Sequence, residues 1–176
     1  MVTLISLGAA ATLKQTLQAE LIGQHVRMES VAWQAAQQAL RHCEAASIQQ
    51  PPGITIQAAP AAPEDQPAWA LFSHWRDDDG HPSLATRVPT PPGASTGDPA
   101  PPRPQCMAGY SQADTVRLIT ITARGFSPDY QGDAQGRTLQ GSVVWLQSTI
   151  AASEPAAEAR PPTRRSWRQL LHPPRP

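Results

Sequence analysis

The chain has 176 residues, 20 of them proline and 11 glycine, and its 14 basic and 14 acidic side chains balance to a formal net charge of zero. That length supports one modest domain with extensions, not two full domains. Zero net charge excludes a nonspecific electrostatic grip on nucleic acid, and the prolines, concentrated after residue 50, limit how much of the chain packs regularly.

Residues 3–44 contain no proline and predict one long helix. Leu13, Leu17, Leu21, Met28, Ala32, Ala35 and Ala39 recur at helical spacing, and Ile22, Val26, Trp33, Ala36 and Leu40 form a neighbouring stripe. The apolar arc is wide enough to face a sheet on one side and partner helices on another. Gly23 is a soft point, costing about 1 kcal/mol relative to alanine. Pro51 and Pro52 place the helix end before residue 50. Residues 1–13 carry no charge. As a helix they span roughly 20 Å, short of the roughly 30 Å hydrocarbon layer of a bilayer. They also lack the basic region and cleavage site of a signal peptide. The alternatives are a buried helix end or the remaining half of a membrane anchor, and the second is the expectation. Gly8-Ala9-Ala10-Ala11 would suit close helix packing in lipid.

Residues 51–64 are rich in alanine and proline and read as extended, with one short apolar alternation at Ile54 and Ile56. Residues 68–76 concentrate Trp69, Phe72 and Trp75. They either donate aromatic side chains to the core or form an exposed aromatic binding surface. Residues 77–104 read as a long proline-rich loop that cannot build a core. The clearest β pattern follows in 115–122 and 138–150, two Val/Ile/Thr-rich runs joined by a loop with Gly and Pro-Asp, which predict an antiparallel hairpin with a protruding loop. Residues 151–176 lose periodicity and read as a disordered tail carrying Arg160, Arg164, Arg165, Arg168 and Arg175. The alternative use of those arginines is contact with phosphates or an anionic lipid surface. One helix followed by strands predicts an α+β fold.

The two cysteines, Cys43 and Cys106, fit one disulfide in an oxidising compartment; the alternative is two separate buried thiols. Cys106 follows Pro104 and Gln105 in what reads as a loop, a poor place for a core thiol. A bridge would close a loop of about sixty residues and stabilise the fold by up to roughly 4 kcal/mol in the chain-entropy account. Metal ligation has weak support. Asp77-Asp78-Asp79-Gly80 is acidic, but the acids are consecutive and no glutamate follows at calcium-loop spacing. His42, Cys43, His74 and His81 lack the paired spacing of a zinc site. No phosphate-binding loop, nucleophile elbow or triad-like placement is present, so neither catalysis nor a cofactor is expected.

Residues 17–41 carry a pattern, L-Q-x-E-x-[IM]-x(10)-[WF]-Q-A-A-x-x-A-L-R, met by Leu17, Gln18, Glu20, Ile22, Trp33, Gln34, Ala35, Ala36, Ala39, Leu40 and Arg41 without a gap. This resembles the N-terminal helix of PilX-type minor pilins of type IV pili. The run from Ile121 to Asp129, with Thr122-Ala123-Arg124-Gly125, and the strand Val143-Val144-Trp145-Leu146-Gln147-Ser148 resemble that family's closing strands. Ser166–Leu171 is similar to the tail of some members. The likeness covers 1–44 and 115–150, a little under half the chain. The family's cleavage-site glycine, methylated first residue and early anchor acid have no counterpart here, so processing is not carried over.

The resemblance implies a pilin-like α+β fold: helix 1–50, with 1–13 as part of an anchor, and a head over 51–150. It implies a non-enzymatic subunit acting in pilus assembly or at the tip. Leu13, Leu17, Leu21, Met28, Trp33 and Leu40 would pack against partner helices. The implied partners are other minor and major pilins, the inner-membrane assembly platform and a tip adhesin, with no nucleic acid. The implied location is the inner membrane facing the periplasm, and the assembled pilus, of a Gram-negative bacterium. Two rival readings are a pseudopilin of a type II secretion system and a periplasmic binding module using Trp69, Phe72 and Trp75.

Overall fold

A computed structural model describes residues 2–49, 54, 56–58, 66–76, 82–89, 101–113, 116–153, 164–171 and 174. Helix α1 runs Val2–Gln49, 48 residues, which is roughly 72 Å at 1.5 Å per residue. It ends before residue 50, as Pro51 and Pro52 predict, and its last turns, beyond the periodic stretch to residue 44, are held by packing. Glu44, Ala46 and Ser47 are all buried.

The main sheet has strands β1 (Ile56–Ala58), β2 (Thr86–Arg87), β3 (Gln105–Ala113), β4 (Val116–Phe126), β7 (Val143–Ser153) and β8 (Arg164–Leu170). The order is β1-β3-β4-β7-β8, with β2 also paired to β3. A short separate ribbon joins β5 (Gln131–Gly132) to β6 (Thr138–Gln140). All pairings are antiparallel except β1 with β3. The expected α+β class therefore holds. The expected hairpin is β4 and β7, in continuous register from Val116↔Ser153 to Phe126↔Val143.

Helix α1 covers one face of this sheet. The core between them joins Ala32, Ala36, Ala39, Leu40 and Cys43 to Cys106, Ala108, Ile119, Ile121, Ala123, Val144, Leu146 and Ile150. The strand residues alternate, as a pleated sheet requires, so every second side chain meets the helix. The closest approach is at Gly125 of β4. A Cβ built there would lie 2.0 Å from the Ala36 amide nitrogen and 2.3 Å from the Ala32 carbonyl oxygen. Glycine on the strand and alanines on the helix let the two backbones nearly touch.

Cys43 and Cys106 form the expected disulfide, with Cα atoms 6.2 Å apart and 63 positions apart in sequence. It ties the last third of α1 to β3. Cys106 is not in a loop: it lies within β3 and is fully buried. The stretch read as loop 77–104 also contributes to the core. It supplies β2 and the buried Ala85 and Val88, because the edge of β3 offers it backbone partners.

The tail read as disordered contains β8, which pairs with β7 from Ala151↔Arg164 to Trp145↔Leu170. Its polar composition suits an edge strand, which needs only one hydrogen-bonded neighbour. On the helix side, Trp167 meets Trp33 edge-to-face at 6.1 Å, and Arg165 Nη2 reaches Glu44 Oε2 at 2.8 Å. On the opposite side, Arg168 donates to Gln147 Oε1 through Nε and Nη2, and Gln147 Nε2 donates to Thr122 Oγ1 at 2.9 Å. Truncating Arg165 leaves the buried Glu44 carboxylate without that counter-charge. Arg165→Ala is expected to cost about 1–2 kcal/mol, between an exposed ion pair and an orphaned buried charge. Urea unfolding measures this, and the cost should nearly vanish in a Glu44→Gln background.

Candidate functional site

Two regions carry features beyond those a simple core requires: the N-terminal part of α1 and the sheet face turned away from it. From residue 18 to 31 the helix side chains are exposed, apart from half-buried Met28. This stretch is roughly 20 Å long. Leu21 and Ile22 are each 65% exposed and Val26 is 57% exposed. Ile22 and Val26 share one face a turn apart, with Leu21 on the neighbouring stripe, and together they form an exposed apolar patch.

The structure divides the sequence-predicted helix residues. Leu40 is buried in the head, Met28 and Trp33 are half-buried at its margin, and Leu21 is exposed. The side chains of Leu13 and Leu17 lie outside the described residues. Gly23 stands in open space, with nothing within 4 Å of a Cβ placed there. Among the described residues, no helix is long and apolar enough to cross a membrane.

The far face of the sheet is covered by two short 3₁₀ turns, Ala68–Ala70 and Phe72–Trp75. Phe72 and Trp75 are buried with Ala85, Met107 and Trp145, and Trp69 is half-buried against them. The exposed aromatic surface considered for Trp69, Phe72 and Trp75 is thus not present as such; the rings form a second core. Trp75 and Trp145 meet at 4.8 Å, edge-to-face, and Trp75 Nε1 donates to the Trp69 carbonyl at 2.9 Å. His74 is engaged locally, its Nδ1 2.8 Å from the Ala68 carbonyl oxygen.

Within this second core sits Arg124 of β4, only 6% exposed. Its Nε donates to Gln105 Oε1 at 2.7 Å and its Nη2 to the Trp75 carbonyl at 2.6 Å. Its guanidinium carbon lies 5.1–5.3 Å from the ring centres of Phe72, Trp75, Phe126 and Trp145. Aromatic faces attract a cation, and more so once water is excluded. Burial lowers the guanidinium to about 10, with Tyr130 opposing and Arg87 adding to the shift. It still carries its proton at neutral pH. Among the described residues no carboxylate pairs with it.

A solvent-open pocket of about 430 Å³ adjoins this arginine, bordered by Arg76, Arg87, Arg103, Tyr130 and Asp133 among others. Asp133 is committed to its own turn. Its Oδ1 accepts the Gln135 and Arg137 backbone N–H groups at 2.9 and 2.8 Å, and its Oδ2 pairs with Arg137 Nε at 2.6 Å. Desolvation pushes the Asp133 carboxyl up, but these hydrogen bonds outweigh it and hold the group below its ordinary value. Arg76 Nη1 donates to the Ala134 carbonyl in the same loop. Gly136, at φ +81°, lets this loop lie flat on the Phe72 ring, where a Cβ would come within 2.5 Å of it.

Arg124 and its pocket were missed in the sequence, although strand alternation alone puts Thr120, Thr122 and Arg124 on one face of β4. Ser127 and Asp129 are hydrogen-bonded at 2.6 Å, but the Ser127 hydroxyl also accepts the Ser142 N–H and closes a turn. Among the described residues no group of histidine, cysteine, aspartate or glutamate could hold a metal ion. The acidic run Asp77–Asp79 and His81 lie outside the described residues, and His42 is half-buried on α1. Compared with known proteins, the chain matches no family model, no curated protein and no solved structure.

Proposed function

We propose that this chain is a minor pilin subunit of a type IV pilus, working by helix-to-helix packing with other pilins in assembly or at the tip. The observation that carries this reading is the continuous helix whose 18–31 stretch is exposed apart from half-buried Met28 and bears Leu21, Ile22 and Val26. Burying such a side chain between helices stabilises an assembly by about 2 kcal/mol each, so the patch supplies a driving force that the isolated chain leaves unused. The likeness of residues 17–41 to the PilX-type helix pattern supports the same reading, and the exposed patch falls inside that segment. The disulfide supports an exported, oxidising location, since such bonds persist there. The head's role is to hold the helix rigidly: its core, its strand-to-helix contact at Gly125 and the disulfide all fix the C-terminal third of α1.

The triple substitution Leu21→Lys, Ile22→Lys, Val26→Lys tests this in the native bacterium. All three sites are exposed, so the purified head should keep its melting temperature. Surface piliation should fall severalfold or more. Normal piliation with the variant incorporated into fibres overturns the proposal.

A further inference from the structure

We propose that the seat for a partner helix extends from α1 onto the head, with Trp167 of β8 as its anchor. A neighbouring pilin's N-terminal helix lies in the notch where α1 leaves the sheet, against Ile22, Val26, Trp33 and Trp167. This rests on the pilin reading and adds to it an element of the head. Ile22, Val26 and Trp33 follow one another at spacings of four and seven residues. At about 100° per residue they stay within roughly 40° of one another on the helix surface. Leu40 and Glu44 fall on the same stripe further along α1.

The contacts of the later residues show which way this stripe points. Leu40 is buried in the core, Glu44 Oε2 accepts from Arg165 Nη2 at 2.8 Å, and Trp33 meets Trp167 edge-to-face at 6.1 Å. Arg165 and Trp167 both belong to β8, so the stripe turns toward that strand. Toward the N-terminus it runs on past Trp33, with Val26 57% and Ile22 65% exposed. Trp167 stands at the junction. It pairs in register with Ser148, on the helix side of the sheet, and remains 60% exposed although it touches Trp33. Its neighbours on β8, Arg165, Ser166, Arg168 and Gln169, are polar and exposed. A role confined to packing on Trp33 would not leave more than half of the tryptophan open on a polar edge strand. A large aromatic group set among polar residues is the usual anchor of a protein interface. The occupant is a helix because of the repeat. From Ile22 to Trp33 the stripe is straight and about 16 Å long, and its four-and-seven spacing is the one that the ridges of a second helix mesh with. The two-residue period of an extended strand would not match it.

The test is made in the native bacterium with the full-length chain. A photo-crosslinking phenylalanine analogue placed at position 167 keeps a ring against Trp33. In irradiated fibres it should crosslink to the N-terminal helix of the same pilin that a crosslinker at position 22 captures. Trp167→Ala should lower incorporation of the chain into fibres about tenfold or more, the loss expected when an anchoring aromatic group is truncated, and Trp167→Phe should restore most of it. Arg168→Ala is the control for stability. It loosens β8 through Gln147 on the opposite side of the sheet, and it should leave incorporation unchanged. Crosslinking at 22 without crosslinking at 167 overturns this inference and leaves the pilin reading standing. So does capture by position 167 of a strand in another head, normal incorporation of Trp167→Ala, or an equal loss with Arg168→Ala. Absence of crosslinks at both positions overturns the inference and the pilin reading together.

Discussion

Gly125→Ala is expected to destabilise the protein by at least about 3 kcal/mol, beyond the usual range for overpacking a core, and to release α1 from the sheet. The added methyl carbon would stand 2.0 Å from the Ala36 nitrogen, 2.3 Å from the Ala32 oxygen and 2.6 Å from the Ala35 carbonyl carbon. Each obstruction is helix backbone, so no rotamer change relieves it. Shortening a neighbouring side chain should not help either: Ala36→Gly in the same molecule is expected to give no rescue. Denaturant unfolding with a circular-dichroism readout measures the effect. A loss below about 1 kcal/mol would mean that the helix sits further from β4 than described, and the account of the helix-to-sheet contact would fail.

Loss of the Cys43–Cys106 bridge is the second large effect. With 63 positions between the cysteines, the chain-entropy account gives about 4 kcal/mol, a substantial share of the 5–15 kcal/mol typical of a domain. The double substitution Cys43→Ala, Cys106→Ala removes the bridge without burying a hydroxyl, since both positions are fully buried. The expected result is a drop in the denaturation midpoint that matches the drop seen when the unaltered protein is reduced. Among the described residues, the segment between the bridged cysteines holds the last turn of α1, β1, β2 and the two 3₁₀ turns, all short, so the bridge closes a long loop in the unfolded chain. A change under about 1 kcal/mol in both experiments would show that packing alone holds α1 to β3.

Much of the architecture was legible because it was written in periodicity. The helix showed its face at three- and four-residue spacing, and the β4–β7 pair showed its alternation of Val, Ile and Thr. The cysteine pair was legible from arithmetic and composition. Strand β3 was not, because Gln105–Ala113 has no Val, Ile or Thr and mixes glycine, serine and glutamine among its apolar residues, and its stability comes from neighbours on both sides. Strand β8 hid behind its arginines for a related reason: an edge strand held by one partner needs little apolar content of its own. Val88 and Ala85 were lost inside a proline-rich stretch whose average composition concealed two core residues.

The functional features divided the same way. Leu21, Ile22 and Val26 stood out as apolar positions, but periodicity alone could not separate those facing the head from those left exposed. That distinction depends on where the sheet ends, a fact of tertiary structure. Arg124 was obscured because β4 reads naturally as apolar toward a core and polar toward water. The turn from Phe72 to Trp75 folds over the polar side and converts an ordinary surface arginine into a buried one. The three aromatic residues were visible; what they enclose was not.

The proposed assembly face for other pilin helices is the exposed 18–31 stretch of α1. The most direct measurement places a photo-crosslinking residue at Ile22 in the native bacterium, with a control at Leu139, which is exposed on β6 in the head. Fibres are sheared, purified and irradiated, and the crosslinked species are identified by mass spectrometry. The account predicts that the chain is present in the fibres and that position 22 crosslinks to the N-terminal helix of another pilin, while position 139 does not. Absence of the chain from both fibres and membrane assembly complexes, or a position 22 that reacts with no other pilin, would contradict it.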